Sequence, residues 1–72
     1  MISRGIEDYL EVIYNITEEG RRAKTNDISI RLDVKPASVT EMLQRLDKEG
    51  LVFYKKYDGV TLTKRGKKLP ET

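Results

Sequence analysis

The stretch VKPASVTEMLQRLDKEGLV, residues 34–52, places two kinds of side chain on opposite sides of a helical repeat. Val39, Met42, Leu43 and Leu46 fall on one face; Ala37, Ser38, Thr40, Glu41, Gln44, Arg45 and Lys48 fall on the other. The polar face mixes hydroxyls, a carboxamide, a carboxylate and cations, so it can donate and accept hydrogen bonds at several neighbouring points. That suits reading a polar surface better than breaking a bond. A second group, Lys55, Lys56 and Tyr57, sets two ammonium groups beside an aromatic ring, which suits an anionic partner. The chain has no histidine and no cysteine, so the commonest general base, the commonest transition-metal ligand and thiolate chemistry are all missing. Only carboxylates and lysines remain as reactive groups, and no glycine-rich phosphate loop is present. No catalysis is expected.

These side chains must be held by one small domain spanning residues 1–72, because the chain is too short for a second core. Its charge is uneven. Residues 1–20 hold one base, Arg4, against five acids, while residues 21–72 hold 13 bases against seven acids. An acidic leading segment joined to a basic remainder points to an anionic partner for the remainder. No apolar run approaches the roughly 20 residues of a membrane span, and no signal peptide precedes the acidic alternation of residues 5–16. With the lack of cysteine, this predicts a soluble, cytoplasmic chain.

Periodicity predicts a helix over about 4–19, with Ile6, Leu10, Ile13 and Ile16 inward, Tyr9 and Val12 beside them, Ser3 as N-cap and Gly20 as stop. A second helix over about 26–33 follows, capped by Thr25 or Asn26, with Ile28 and Leu32 inward and Ile30 a further candidate for that face. Lys35 precedes proline and is held out of the helical region, and Pro36 opens a third helix, about 36–49, that stops at Gly50. From residue 51 the period changes to two. LVFYKKYDGVTLT contains Asp58-Gly59 between extended runs, the signal of a tight hairpin with strands near 51–56 and 60–63. Thr63 can cap a short last helix from residue 64 that Pro70 ends. The core is expected from Ile6, Leu10, Ile13, Ile28, Leu32, Val39, Leu43, Leu46, Leu51, Phe53 and Leu62.

Helix, helix, helix, hairpin, short helix is a winged helix-turn-helix: mainly α, with a two-stranded wing. In that arrangement the polar face of residues 36–49 suits a DNA major groove, whose base edges offer both donors and acceptors. The N-terminal part of such a helix makes the base contacts. Here that part is Lys35, Pro36, Ala37, Ser38, Thr40 and Glu41. Ser38 and Thr40 can bond bases or phosphates, and Ala37 and the Thr40 methyl can meet a thymine methyl. Glu41 can accept from cytosine, and Gln44 can read adenine. Arg45 extends the polar face. Lys55, Lys56 and Tyr57 suit a wing on the sugar–phosphate backbone, with Lys64, Arg65, Lys67 and Lys68 widening the basic surface. The alternative is a winged helix that binds a partner protein instead of DNA.

IEDYLEVIYNI, SVTEMLQRLDKEGLV and YDGVTLTKRGKK together resemble the N-terminal DNA-binding domain of the diphtheria toxin repressor and manganese transport regulator family, over about residues 4–69. The resemblance implies a homodimeric, metal-dependent repressor that binds a palindromic operator when Mn²⁺ or Fe²⁺ is present. It places the base-contacting segment at Lys35 to Glu41, the wing at Lys55 to Gly59 and two metal ligands at Asp8 and Glu11. Asp8 stands where the iron branch has methionine, so it implies the manganese-like side. Residues three apart share a helix face, and hard carboxylate oxygens suit Mn²⁺. The family's remaining ligands, histidines among them, and its dimer interface lie on helices beyond this stretch, and Pro70 stands where the family continues a long helix. A fragment, or a stand-alone domain without metal control, is therefore expected, binding no metal tightly by itself.

Overall fold

A computed structural model describes residues 5–71, with the side chains of 5–68. The expected N-cap at Ser3 lies outside the described residues. Helix α1 spans Ile6–Glu18, α2 Thr25–Leu32, α3 Pro36–Lys48 and α4 Lys64–Glu71; β1, Val52–Lys55, and β2, Gly59–Leu62, form an antiparallel hairpin between α3 and α4. Helix α1 forms because Tyr9, Leu10, Ile13 and Ile16 bury one stripe while Glu7 and Asp8 lie in the first turn, where the helix dipole favours anions. The Asp8 carboxylate accepts a hydrogen bond from the Gly5 amide at 3.4 Å. Gly20, at φ +85°, ends the helix by donating to the Thr17 carbonyl.

The expected side-chain cap of α2 is not there. Thr25 is the first helical residue, and Lys24 precedes it in extended conformation without capping it through its side chain. The cause lies in the chain before the helix. The Ala23 amide donates to the Val60 carbonyl (3.1 Å) and the Ala23 carbonyl accepts in return from the Val60 amide (2.8 Å), so the α1–α2 connection runs as a third, one-residue edge of the hairpin and enters α2 directly from it. The bend between α2 and α3 turns on Asp33, in the left-handed region at φ 55°, ψ 51°. Aspartate tolerates that region better than most residues. The bend is closed by two bonds: the Val34 amide donates to the Ser29 carbonyl (3.1 Å), and the Ser29 hydroxyl donates to the Val34 carbonyl (2.6 Å). Lys35 is extended and Pro36 begins α3.

The hairpin pairs Val52 with Leu62, Phe53 with Thr61, Tyr54 with Val60 and Lys55 with Gly59. β1 is therefore shorter than predicted, β2 keeps the predicted length but starts one residue earlier, and the turn is a three-residue loop, Lys56–Tyr57–Asp58, with Gly59 already in β2 at φ +109°. A glycine with positive φ after three residues is the common longer alternative to a two-residue turn. Gly59 is needed for a second reason: a Cβ there would come within 2.7 Å of the Ala23 carbonyl oxygen. The Thr63 hydroxyl accepts from the Gly66 amide (3.1 Å), the cap predicted for α4, and donates to the Gly50 carbonyl (2.8 Å). Helical backbone continues through Pro70 to Glu71, because a proline this close to a helix end forfeits a single intrahelical bond.

The core gathers Tyr9, Leu10, Ile13, Ile16, Ala23, Ile28, Leu32, Val39, Leu43, Leu46, Leu51, Val52, Val60 and Leu62. Of the expected members, Phe53 is 63% exposed and Ile6 only half-buried against it, and Ile30, a candidate for the inward face of α2, is 78% exposed. Leu51 is buried from a bend before β1, so it does not set the alternation of the strand. Val52 does, and its inward orientation turns Phe53 out. Ile30 lies off the Ile28–Leu32 face of a helix too short to bury a third position. Burial pushes the Tyr9 hydroxyl above the ordinary tyrosine range. At the end of α1, Glu19 meets Arg21 at 2.7 Å and Arg31 at 3.7 Å, and the bond from Arg21 is the main reason its carboxyl lies below the ordinary glutamate range. This exposed contact is present above that range and is lost as pH falls through the lowered value.

Candidate nucleic-acid interface

Helix α3 packs on both α2 and β1, and its inward stripe is Val39, Leu43 and Leu46, with Met42 half-buried against the same core. The 3.6-residue repeat then leaves the opposite face to solvent. Lys35, Pro36, Ala37, Ser38, Glu41, Gln44 and Arg45 are exposed, and Thr40 is half-buried. No side chain caps the first turn of α3, so its N-terminal amides are not covered by the protein's own groups and carry the positive end of the helix dipole. Among the described residues, Ser38, Thr40, Glu41 and Gln44 have no side-chain hydrogen bond or ion pair. Arg45 is different. Its Nε lies 3.6 Å from the Glu49 carboxylate, a surface i,i+4 pair, so its cation is partly engaged within α3.

The wing brings Lys55, Lys56 and Tyr57 together at one exposed tip. Tyr57 is 85% exposed, and the Lys56 ammonium stands 5.6 Å from its ring centroid. The tip is also reached from elsewhere in the chain. The Lys24 ammonium donates to the carbonyls of Tyr57 (3.3 Å) and Asp58 (2.9 Å), and Arg22 lies 3.8 Å from the Asp58 carboxylate. Arg22, Phe53, Lys55, Gly59 and Thr61 line an open depression of about 320 Å³ on the outer face of the hairpin. Sequence reasoning did not find Arg22 or Lys24. The cluster Arg21-Arg22-Ala23-Lys24 was the signal, but nothing local says that it meets residues more than 30 positions later. Of the C-terminal cations, Arg65 is turned back to the Glu49 carbonyl at 3.0 Å.

Asp8 is half-buried and Glu11 exposed, one turn apart on α1. The described residues contain no group of three or more His, Cys, Asp or Glu side chains placed to hold a metal ion. Two carboxylates, one of them already accepting from the Gly5 amide, leave most of an octahedral shell to water.

A helix-turn-helix whose second helix exposes an uncovered polar face, followed by a hairpin with a cationic tip, is a winged-helix DNA-binding architecture. The chain belongs to the iron dependent repressor, N-terminal DNA binding domain family, whose sequence pattern matches residues 1–60. It is 46% identical over 71 residues to the HTH-type transcriptional regulator MntR of Oceanobacillus iheyensis, covering 99% of this chain and 48% of that protein. The chain thus spans about half the length of the regulators it matches in sequence. Among solved structures it resembles the hypothetical protein SSo2273 from Sulfolobus solfataricus (TM-score 0.86, 36% identity, 96% of this chain and 53% of that one). It also resembles the manganese regulator SloR (TM-score 0.82, 33% identity, 96% of this chain and 32% of that one). The MntR proteins are transcriptional regulators, and the family is a non-enzymatic one. Among the described residues no helix is long and apolar enough to cross a membrane.

Proposed function

We propose that this domain binds double-stranded DNA sequence-specifically, with α3 in the major groove and the wing tip, Lys55 to Gly59, on the sugar–phosphate backbone. The observation that carries this reading is the polar face of α3: exposed, uncapped at its N-terminus and with Ser38, Thr40, Glu41 and Gln44 unengaged by the rest of the protein. Lys35, Pro36 and Ala37 form a thin leading edge, Ser38, Thr40, Glu41 and Gln44 supply donors and acceptors for base edges, and Lys55, Lys56 and Tyr57 supply the backbone contact. Arg45 contributes once it exchanges Glu49 for a phosphate. The setting is cytoplasmic transcriptional repression. Homodimeric binding to a palindromic operator, and control by Mn²⁺ or Fe²⁺, are the wider reading supported by the family; within this chain Asp8 and Glu11 are its partial donor set.

Replacing Lys55 and Lys56 together by alanine is expected to weaken binding to every duplex alike and to lower the slope of log affinity against log salt by about two, roughly one per lost phosphate contact. Gel-shift titrations over a salt series measure both. Affinity that stays the same across the series would remove the wing from the interface, and a chain that binds no DNA even at low salt would favour a protein-binding winged helix.

A further inference from the structure

The three-residue loop Lys56–Tyr57–Asp58, which carries Lys56 directly after Lys55 at the end of β1, is short of internal support. One backbone bond crosses it, from the Asp58 amide to the Lys55 carbonyl at 3.1 Å. Beyond that bond and the Lys55–Gly59 pair at its base, its fixing comes from the α1–α2 connection. Ala23 pairs with Val60 through two backbone bonds, just beyond the loop. The close approach of the Ala23 carbonyl to Gly59 leaves no room for a side chain there. From this anchored segment the Lys24 side chain crosses to the tip and donates to two successive carbonyls, those of Tyr57 and Asp58. Arg22 faces the Asp58 carboxylate, the one acid on the loop.

We propose that Lys24 is a positioning residue for DNA binding: its ammonium locks the backbone of the wing tip so that Lys55, Lys56 and Tyr57 are presented together to phosphates. This rests on the wing reading given above. The physical case is electrostatic as well as geometric. Two carbonyl oxygens at the tip would present negative dipole ends to an approaching phosphate, and the Lys24 ammonium covers both. Because its charge is engaged on the wing's own backbone, Lys24 acts through Lys55 and Lys56 and not as a separate phosphate ligand. Chain connectivity alone would not give this arrangement, since Lys24 and the tip are 33 and 34 residues apart.

The test is a double-mutant cycle on the 72-residue chain, read as affinity for a mixed-sequence, fluorescently labelled duplex two helical turns long, at low salt. The four proteins are the unchanged chain, Lys24→Met, the Lys55→Ala/Lys56→Ala pair and the triple variant. Lys24→Met alone is expected to weaken binding by about three- to tenfold, but by less than about twofold once Lys55 and Lys56 are gone, because residues in one network are not additive. Lys24→Arg, which keeps a donor of similar reach, should restore most of the affinity. Hydrogen exchange should speed up at the Asp58 amide while the helical amides keep their protection. Equal losses in both backgrounds would make Lys24 an independent phosphate contact and overturn the proposal. So would faster exchange throughout the chain, which would assign the loss to folding. Lys24→Met without effect beside a weakened wing variant overturns this inference alone. A wing variant that binds like the unchanged chain overturns the wing reading and this inference with it.

Discussion

Leu43→Ala is expected to lower the unfolding free energy by about 2–5 kcal/mol, the range for emptying a large aliphatic site that cannot collapse. Leu43 is fully buried at the middle of the inward stripe of α3, between Val39 and Leu46, where the helix packs on both α2 and β1. A domain of this size has a total stability of only about 4–11 kcal/mol, so this one side chain carries a large share. The loss is functional as well as thermodynamic. The same helix holds Ser38, Thr40, Glu41 and Gln44 outward, and their orientation depends on the stripe being seated. Urea denaturation measures the change as a lower midpoint at unchanged slope. A loss below about 1 kcal/mol would mean that α3 is not packed through this residue.

Gly66→Ala is the second large effect, and two known tendencies oppose each other there. Helix propensity favours alanine over glycine by about 1 kcal/mol within a helix. Packing opposes it. A Cβ on Gly66 would fall on the carbonyl oxygen of Leu51, with the Leu51 carbonyl carbon at 3.1 Å and a Leu62 methyl at 3.4 Å. The obstruction is backbone, so no side chain can swing aside, and the same Leu51 carbonyl already accepts from the Thr63 amide at 3.2 Å. Overpacking against soft side chains costs about 1–3 kcal/mol, and rigid backbone lies at the upper end or beyond. The net expectation is a loss of about 2 kcal/mol or more after propensity is credited, seen as a lower thermal midpoint. A stabilised Gly66→Ala chain would show that α4 does not lie against Leu51.

The parts of this fold that were legible in the sequence are those set by local spacing. The stripe through Leu10 and Ile13, the alternation of faces in α3, the glycines after α1 and α3 and the Thr63 cap all follow from residues within a few positions of one another. What was not legible depends on partners far away in the chain. The phase of β1 is fixed by Val52 entering the core, which Leu51 before it disguises, so the sequence pattern points Phe53 inward although it faces water. The Ala23–Val60 bridge moved the start of α2 and drew Lys24 to the wing, and a basic cluster in sequence carries no sign of such a pairing. Asp33 in its left-handed conformation left only a weak mark, an aspartate ahead of Val-Lys-Pro. In the candidate interface, the exposed positions of α3 follow from the helical repeat. The engagement of Arg45 with Glu49 and of Asp8 with the Gly5 amide is decided by rotamers that spacing permits but does not select.

The most direct test of the proposed interface is a backbone-amide NMR titration of the isotopically labelled chain with a mixed-sequence duplex at low ionic strength. The expected result is a contiguous set of shifts over Lys35 to Arg45 and Lys55 to Tyr57, fading as salt is raised, with the acidic face of α1 unmoved. Shifts confined to α1 or to the outer hairpin face around Phe53, or a spectrum that no duplex alters, would contradict DNA binding through α3.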